Sequence, residues 1–147
     1  MRRYQYFTSP SFFRETWYLD LTQEVWTQVP SDLNDPTGRI KPEMIYDAAR
    51  SRILLFGGHD DGQLGNTNDI WSLKLDTLTW KLEKQGDVFS EPAFGLCDFP
   101  ADFAIIDPLS PERRESHLFD VSEDVAIMYG GRTDCGSAKD SWSLDLT

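Results

Sequence analysis

Two pairs of adjacent glycines mark a repeat in this 147-residue chain. Gly57-Gly58 and Gly130-Gly131 each end an apolar run, and each pair is followed by a loop and then by a tryptophan segment. Those segments are Asn68–Leu73 and Lys139–Leu144. Self-similarity at a period of ~20–50 residues is typical of repeat architectures, in which each unit is one supersecondary module. The chain is therefore predicted to consist of repeated β-units.

Paired tryptophans extend the unit beyond each glycine pair. Trp71 is followed nine residues later by Trp80, and Trp17 is followed by Trp26 at the same spacing. Trp142 begins the pattern a third time. The intervening residues show the alternation and β-rich apolar runs of short strands.

A proline-to-arginine lead-in precedes both glycine pairs. Pro36–Arg39 comes before Met44–Asp47, and Pro111–Arg114 comes before Ser116–Asp120. With this lead-in, each unit is predicted to contain four short strands separated by turn residues. Because both lead-ins end in arginine, we expect the two arginines to brace the framework, with ligand contact as the alternative.

Together, the glycine pairs, tryptophan spacing and lead-ins resemble the kelch repeat, over residues 15–86 and 111–147. The resemblance implies an all-β fold of antiparallel four-stranded propeller blades in an incomplete ring. Glycine permits close backbone approach, and tryptophan supplies large buried area to the seams between blades. The expected structural residues are Gly57, Gly58, Gly130, Gly131, Trp17, Trp71, Trp80, Trp142, Arg39 and Arg114. Another antiparallel β-sandwich with coincidental glycine pairs is the alternative.

The predicted strands divide the chain into four segments. With strands labelled a to d from the centre outward, residues 1–30 form a partial first blade containing c and d, and a degenerate strand b is left open. Residues 31–86 form a complete blade, and residues 87–110 form an insertion loop rich in phenylalanine and proline. Residues 111–147 form a third blade that lacks strand d. The strands predicted in the complete blade are Met44–Asp47, Ile53–Phe56, Ile70–Leu75 and Trp80–Lys84.

A ring of this kind needs further blades. Propellers typically close with about four to eight blades, whereas these segments make fewer than three. Open faces and edges are an aggregation hazard unless something covers them. We therefore expect the chain to be part of a longer protein, with assembly from several copies or partners as the alternative.

Composition and charge exclude several classes of partner. Hydrophobic residues make up 39% of the chain, which allows a buried core. No apolar run approaches the ~18 residues of a membrane span, so membrane insertion is not expected. The net charge of −11 repels phosphate backbones and anionic membranes, so nucleic acid is excluded as a partner.

The two cysteines give an indication of the cellular compartment in which the protein resides. Because strands alternate in direction within a blade, the insertion and the loops after the glycine pairs lie on one face of the propeller. Cys97 lies in the insertion and Cys135 lies in one of those loops, so a disulfide between them is one expectation. Two unrelated thiols in a cytosolic protein are the other. A disulfide favours an extracytoplasmic location, although the N-terminus lacks the apolar stretch of a signal peptide.

Catalysis has little support in the sequence. The chain holds two histidines, and no nucleophile triad, phosphate loop or metal-ligand spacing stands out. The copper-radical galactose oxidases, which are propellers of this type, need a histidine and tyrosine copper site that has no match here. His117 falls in the lead-in pattern, so we expect a structural role for it. The acidic loop 59–69 lacks EF-hand spacing, so we interpret it as a solvated turn, with calcium binding as the alternative. No cofactor or metal is expected.

These observations predict a non-catalytic module for protein binding or scaffolding, whose partner is another protein or the remaining blades. The working face is expected to carry the loops after the glycine pairs together with the insertion, because long ordered loops on a rigid scaffold are often functional. The predicted contact residues are His59, Asp60, Asp61, Phe89, Phe94, Arg132 and Asp134. The alternatives are a fragment of a carbohydrate-active or oxidase-type propeller enzyme and a self-assembling subunit.

Overall fold

The structure, a computed structural model, describes residues 12–60, 65–89, 104–105, 109–133 and 136–147. Those residues form fifteen short strands and a single 3-10 turn, and every strand pairing is antiparallel. The predicted all-β fold is therefore confirmed. Within these ranges, no helix is long and apolar enough to cross a membrane.

The first blade is a two-stranded sheet. Strand β1 (Trp17–Asp20) pairs with β2 (Val25–Gln28), so that Leu19 lies opposite Trp26. Trp80 of the second blade donates a hydrogen bond from Nε1 to Thr16 Oγ1 at 3.2 Å, just before β1. The first blade therefore adjoins the second through the tryptophan segment of the latter.

The second blade is a four-stranded sheet with a small hairpin inserted between its middle strands. Along the chain its elements are β3 (Glu43–Asp47), the 3-10 turn Ala48–Arg50, β4 (Arg52–Phe56), β5 (His59–Asp60), β6 (Gly65–Asn66), β7 (Ile70–Lys74) and β8 (Thr79–Lys84). The sheet order is β3-β4-β7-β8, and β5 pairs separately with β6. Strand β4 is apolar after Arg52 and is buried on both faces, because Leu54 and Phe56 lie on one face and Leu55 on the other.

The third blade repeats the arrangement with three described strands. Between the second and third blades, two strands of the insertion pair with each other. The elements are β9 (Val88–Phe89), β10 (Ala104–Ile105), β11 (Leu118–Ser122), β12 (Val125–Tyr129), β13 (Arg132–Thr133), β14 (Gly136–Ser137) and β15 (Ser141–Asp145). The sheet order is β11-β12-β15, and β13 pairs with β14 as a hairpin equivalent to β5-β6.

Each blade has two faces, because successive residues of a strand point to opposite sides. We name one side the Trp face and the other the reverse face. The Trp face carries Trp17 and Leu19 in the first blade, Trp71 and Leu73 in the second, and Trp142 and Leu144 in the third.

The core lies in the seam between the second and third blades. Phe56 and Ile70, on the reverse face of the second blade, are buried against Met128 on the Trp face of the third. The ring centroids of Phe56 and Phe119 lie 6.1 Å apart across the seam. Apolar area removed from water contributes ~25 cal/mol per Å². This seam holds two blades side by side and fixes the positions of the loops at their ends.

An ion-pair cluster joins the same two blades at one end of the strands. The Asp47 carboxylate is fully buried and accepts a hydrogen bond from Arg52 Nε at 2.9 Å. Arg50 lies beside Asp47 and also donates to Asp124 of the third blade at 2.7 Å. The opposite end of the seam carries the two hairpins.

Candidate functional site

Both glycine pairs adopt backbone angles that turn the chain out of the sheet. Gly57 and Gly58 have φ values of +64° and +100°, and Gly130 and Gly131 have values of +64° and +108°. A Cβ on Gly57 would lie 2.5 Å from the carbonyl oxygen of Arg114, and one on Gly131 would lie 2.9 Å from that of Glu115. A side chain at Gly57 or Gly131 would therefore clash with this backbone, in a conformation that glycine adopts readily. The turns deliver β5 and β13 to the same end of the two blades.

The lead-ins pair with the hairpins that follow the glycines. Ile40 and His59 exchange two backbone hydrogen bonds of 2.9 and 2.8 Å. Glu115 and Arg132 exchange two of 2.9 and 2.8 Å at the equivalent place. The side chains after each lead-in arginine are thereby placed beside the side chains after each glycine pair.

The two lead-ins and two hairpins enclose a polar cavity of about 280 Å³, which we name the hairpin groove. Backbone hydrogen bonds tie its walls together, from Gly58 N to Arg114 O at 2.9 Å and from Ser116 N to Lys41 O at 3.3 Å. The residues that line it are Ile40, Lys41, His59, Asn66, Glu115, Arg132 and Thr133.

Charges of both signs face the hairpin groove. Lys41 Nζ lies 3.2 Å from Glu115 Oε1, and the Glu115 side chain is buried while Lys41 is exposed. His59 Nδ1 lies 3.1 Å from Asn66 Oδ1, and Asn66 Nδ2 donates to the Arg132 carbonyl oxygen at 3.3 Å. Within the described part of the chain, the exposed Arg132 guanidinium makes no hydrogen bond or ion pair of its own. Its guanidinium donors are therefore open to a ligand in the groove.

Each lead-in arginine lies below the groove and is locked in place. Arg39 binds both carboxylate oxygens of Asp69 at 2.6 and 2.9 Å and donates to Gly57 O at 3.0 Å. Trp71 Nε1 donates to the same carboxylate at 2.6 Å. Burial alone would raise the pKa of Asp69, but the hydrogen bonds and charge of Arg39 outweigh it and lower that pKa.

The third blade repeats the arginine, aspartate and tryptophan contacts of this cluster. Arg114, which is fully buried, binds both oxygens of Asp140 at 2.6 and 2.9 Å and donates to Gly130 O at 2.8 Å. Trp142 Nε1 donates to Asp140 at 2.6 Å. The hydrogen bond from Arg114 lowers the pKa of Asp140 to about 2.

A comparison with known families agrees with this repeated geometry. A family model described as the KLHDC2/KLHL20/DRC7 Kelch-repeats domain matches residues 6–147. The chain belongs to the kelch-repeat family. The kelch resemblance read from the glycine pairs and tryptophans is therefore confirmed.

The two kelch units differ where they face the groove. Arginine, aspartate and tryptophan recur in the clusters below it, but the lining positions change. His59 in one unit corresponds to Arg132 in the other, and Ile40 corresponds to Glu115, as their shared pairing pattern shows. The residues that hold each blade together are thus the same in both units, whereas the residues that face the groove differ between them.

His117 lies beneath the groove, in the seam. It is buried, and its ring meets Phe56 edge-on with centroids 5.1 Å apart. Among the residues that the structure describes, neither ring nitrogen has a hydrogen-bond partner. Burial, with the nearby Arg114 charge as a second cause, lowers the pKa of His117 to about 4. The kelch unit therefore holds this imidazole neutral at physiological pH.

The structure places two of the predicted contact residues, His59 and Arg132, in the hairpin groove. Asp60 follows His59 in β5 and is half-buried, and Phe89 lies in β9. Five predicted residues lie outside the described ranges, so their contact roles and the predicted disulfide stay predictions: Asp61, Phe94, Asp134 and the disulfide pair Cys97 and Cys135.

Sequence reasoning missed the lining residues that come from the lead-ins, above all Lys41 and Glu115. Their position could have been predicted from the sequence, because both residues closely follow a lead-in arginine. The connections into strand a emerge on the same face of the propeller as the loops after the glycine pairs. Among the described residues, no group of three or more histidine, cysteine, aspartate or glutamate side chains could hold a metal ion.

Proposed function

We propose that this chain is a non-catalytic kelch propeller module that binds a protein partner through the hairpin groove. The observation that carries the proposal is the Arg132 guanidinium, exposed on the wall of a preformed polar cavity and beside His59. Arginine offers five donors in a planar fork, which suits recognition of carboxylate and carbonyl groups of a partner.

The size and charge of the groove support a protein partner. A cavity of about 280 Å³ has room for one or two side chains of a partner and is at the small end for a drug-sized ligand. The chain carries a net charge of −11, so Lys41 and Arg132 are local exceptions in an acidic molecule. The partner is therefore expected to present polar or acidic groups to the two cations in the groove, and neutral or basic groups to the acidic surface around it.

The residues below the groove are proposed to be its framework. Arg39 and Arg114 each bind a carboxylate with two hydrogen bonds and a glycine carbonyl with another. These contacts support bracing roles for both arginines, for the glycine pairs and for Trp71 and Trp142. Because the framework fixes both hairpins, the groove is open before a partner arrives, which lowers the entropic cost of binding.

A displayed random-peptide library tests the proposed function. Peptides selected on the wild-type chain are expected to bind Arg132→Ala at least about tenfold more weakly, the effect of losing one good charged contact. Lys74→Ala, an exposed cation at the far end of β7, is the matched control and should leave affinity unchanged. Peptides that bind both variants as well as wild type would show that the groove is not the binding site.

A further inference from the structure

The two cations that line the hairpin groove are not equivalent. Lys41 Nζ lies 3.2 Å from Glu115 Oε1, so the lysine charge is balanced within the groove itself. The Arg132 guanidinium is exposed and, among the described residues, has no carboxylate partner. With histidine counted as neutral, the lining carries two positive charges and one negative charge. The groove therefore has a surplus of one positive charge, which belongs to Arg132.

Glu115 holds its negative charge in place, whereas Lys41 can move its charge away. The Glu115 side chain is 8% exposed and the Lys41 side chain is 54% exposed. The backbone of Glu115 is fixed by two hydrogen bonds with that of Arg132, of 2.9 and 2.8 Å. A lysine ammonium on its flexible stem can turn towards solvent, whereas the buried carboxylate is confined to the groove wall. A ligand that enters the groove therefore always meets this carboxylate.

The framework of the blade does not need a carboxylate at this position. Ile40 occupies the equivalent place in the second blade, where it pairs with His59 as Glu115 pairs with Arg132. A buried carboxylate loses its hydration, and a largely exposed lysine offsets only part of that cost. In the part of the chain that the structure describes, Lys41 is the one ion-pair partner of Glu115. Glu115 is thus a charge that the fold does not require, kept at a cost in the wall of an open cavity.

We propose that Glu115 is a specificity-determining residue, which makes the hairpin groove accept a carboxylate side chain of a partner protein and reject a phosphorylated one. The inference rests on the proposed binding function of the groove. A carboxylate brings one negative charge, which matches the surplus charge of Arg132. A phosphate monoester brings about −1.5 to −2 charges at pH 7. Its additional charge would face Glu115, and like charges placed together at an interface are strongly unfavourable.

Two forms of one peptide, with either group at the same position, test the proposal. The starting point is a peptide selected from the displayed library whose binding depends on Arg132 and on one aspartate or glutamate of the peptide. It is synthesised once with that acidic residue and once with phosphoserine in its place. A C-terminal amide removes the terminal carboxylate from both forms. In isothermal titration calorimetry, the wild-type chain should bind the carboxylate form at least about tenfold more tightly than the phosphorylated form.

Two substitutions should shift this preference in opposite directions. Glu115→Gln keeps the size of the side chain and removes its charge, so the phosphopeptide should gain at least about tenfold in affinity and the carboxylate peptide should gain less. Lys41→Gln leaves the charge of Glu115 unbalanced, so both peptides should bind more weakly and the phosphopeptide should lose more. Glu123→Gln, which removes an exposed carboxylate from the turn between β11 and β12, is the matched control and should leave the preference unchanged.

The two proposals for the groove fail in different ways. A library that yields no peptide dependent on Arg132 overturns both of them. Three outcomes would overturn only the role of Glu115: peptides that depend on Arg132 but need no acidic residue, a wild-type chain that binds both forms equally, or a preference that Glu115→Gln leaves unchanged. Circular dichroism shows whether each variant keeps the β-fold. If Glu115→Gln does not fold, the shift in Lys41→Gln decides the question, and no shift there would overturn the proposal.

Discussion

The Arg114 side chain is held in place by several hydrogen bonds. It is fully buried and its guanidinium joins Asp140, Gly130 and the backbone of its own lead-in. Arg114→Lys keeps the charge but loses the two-pronged contact, so the free energy of unfolding should fall by about 2–4 kcal/mol in urea denaturation. Arg132→Ala, which removes an exposed arginine, should change it by less than about 0.5 kcal/mol. Equal stability of the two variants would refute the framework role.

A second residue, His117, should make stability depend on pH. Its pKa is about 4 in the folded chain and ~6.5 in the unfolded chain. Between these values the unfolded state binds more protons, so the free energy of unfolding should decrease as pH falls from about 6.5 to 4, by roughly 2 kcal/mol after solvent screening. The stabilisation is complete above pH ~6.5.

His117→Phe isolates that effect. A phenyl ring keeps the edge-on contact with Phe56 and cannot titrate. Urea midpoints measured across this pH range should fall more steeply for the wild type than for the variant, above all between pH ~6.5 and 5. Asp140, whose pKa is lowered to about 2, loses its contribution as pH falls from the unfolded pKa of ~3.9 towards 2, so it adds to the slope only at the low end of this window in both proteins. A slope that survives in the variant would assign the pH dependence to another group.

At the scale of elements, the turns at the glycine pairs determine the positions of the two hairpins. A Cβ on Gly57 would lie 2.5 Å from Arg114 O, whereas one on Gly136 in β14 would meet nothing within 4 Å. Both glycines have positive φ. Gly57→Ala should therefore cost at least about 2 kcal/mol more than Gly136→Ala, because only the first adds a backbone clash to the strain. Thermal unfolding of the two variants measures the difference, and equal losses would mean that the lead-in can move away.

The same elements show what the sequence could reveal. Strands β4 and β7 were predictable to within a residue, because each is a short run rich in apolar residues that ends at glycine or turn residues. The hairpin strands β5 and β6 were missed, since two polar residues per strand carry no period. The hairpin groove was only half predicted, because it depends on contacts such as Lys41 with Glu115, 74 residues apart, which follow from the spacing of the blades.

At the scale of the whole molecule, the net charge opposes the compact fold. The chain carries a net charge of −11, so its carboxylates repel one another more strongly in the folded chain than in the expanded unfolded chain. Raising NaCl from about 0.02 to 0.5 M shortens the Debye length severalfold and screens this repulsion. The free energy of unfolding measured in urea should therefore increase with NaCl. A decrease would mean that screened ion pairs, such as the one between Arg50 and Asp124 across the seam, outweigh the repulsion.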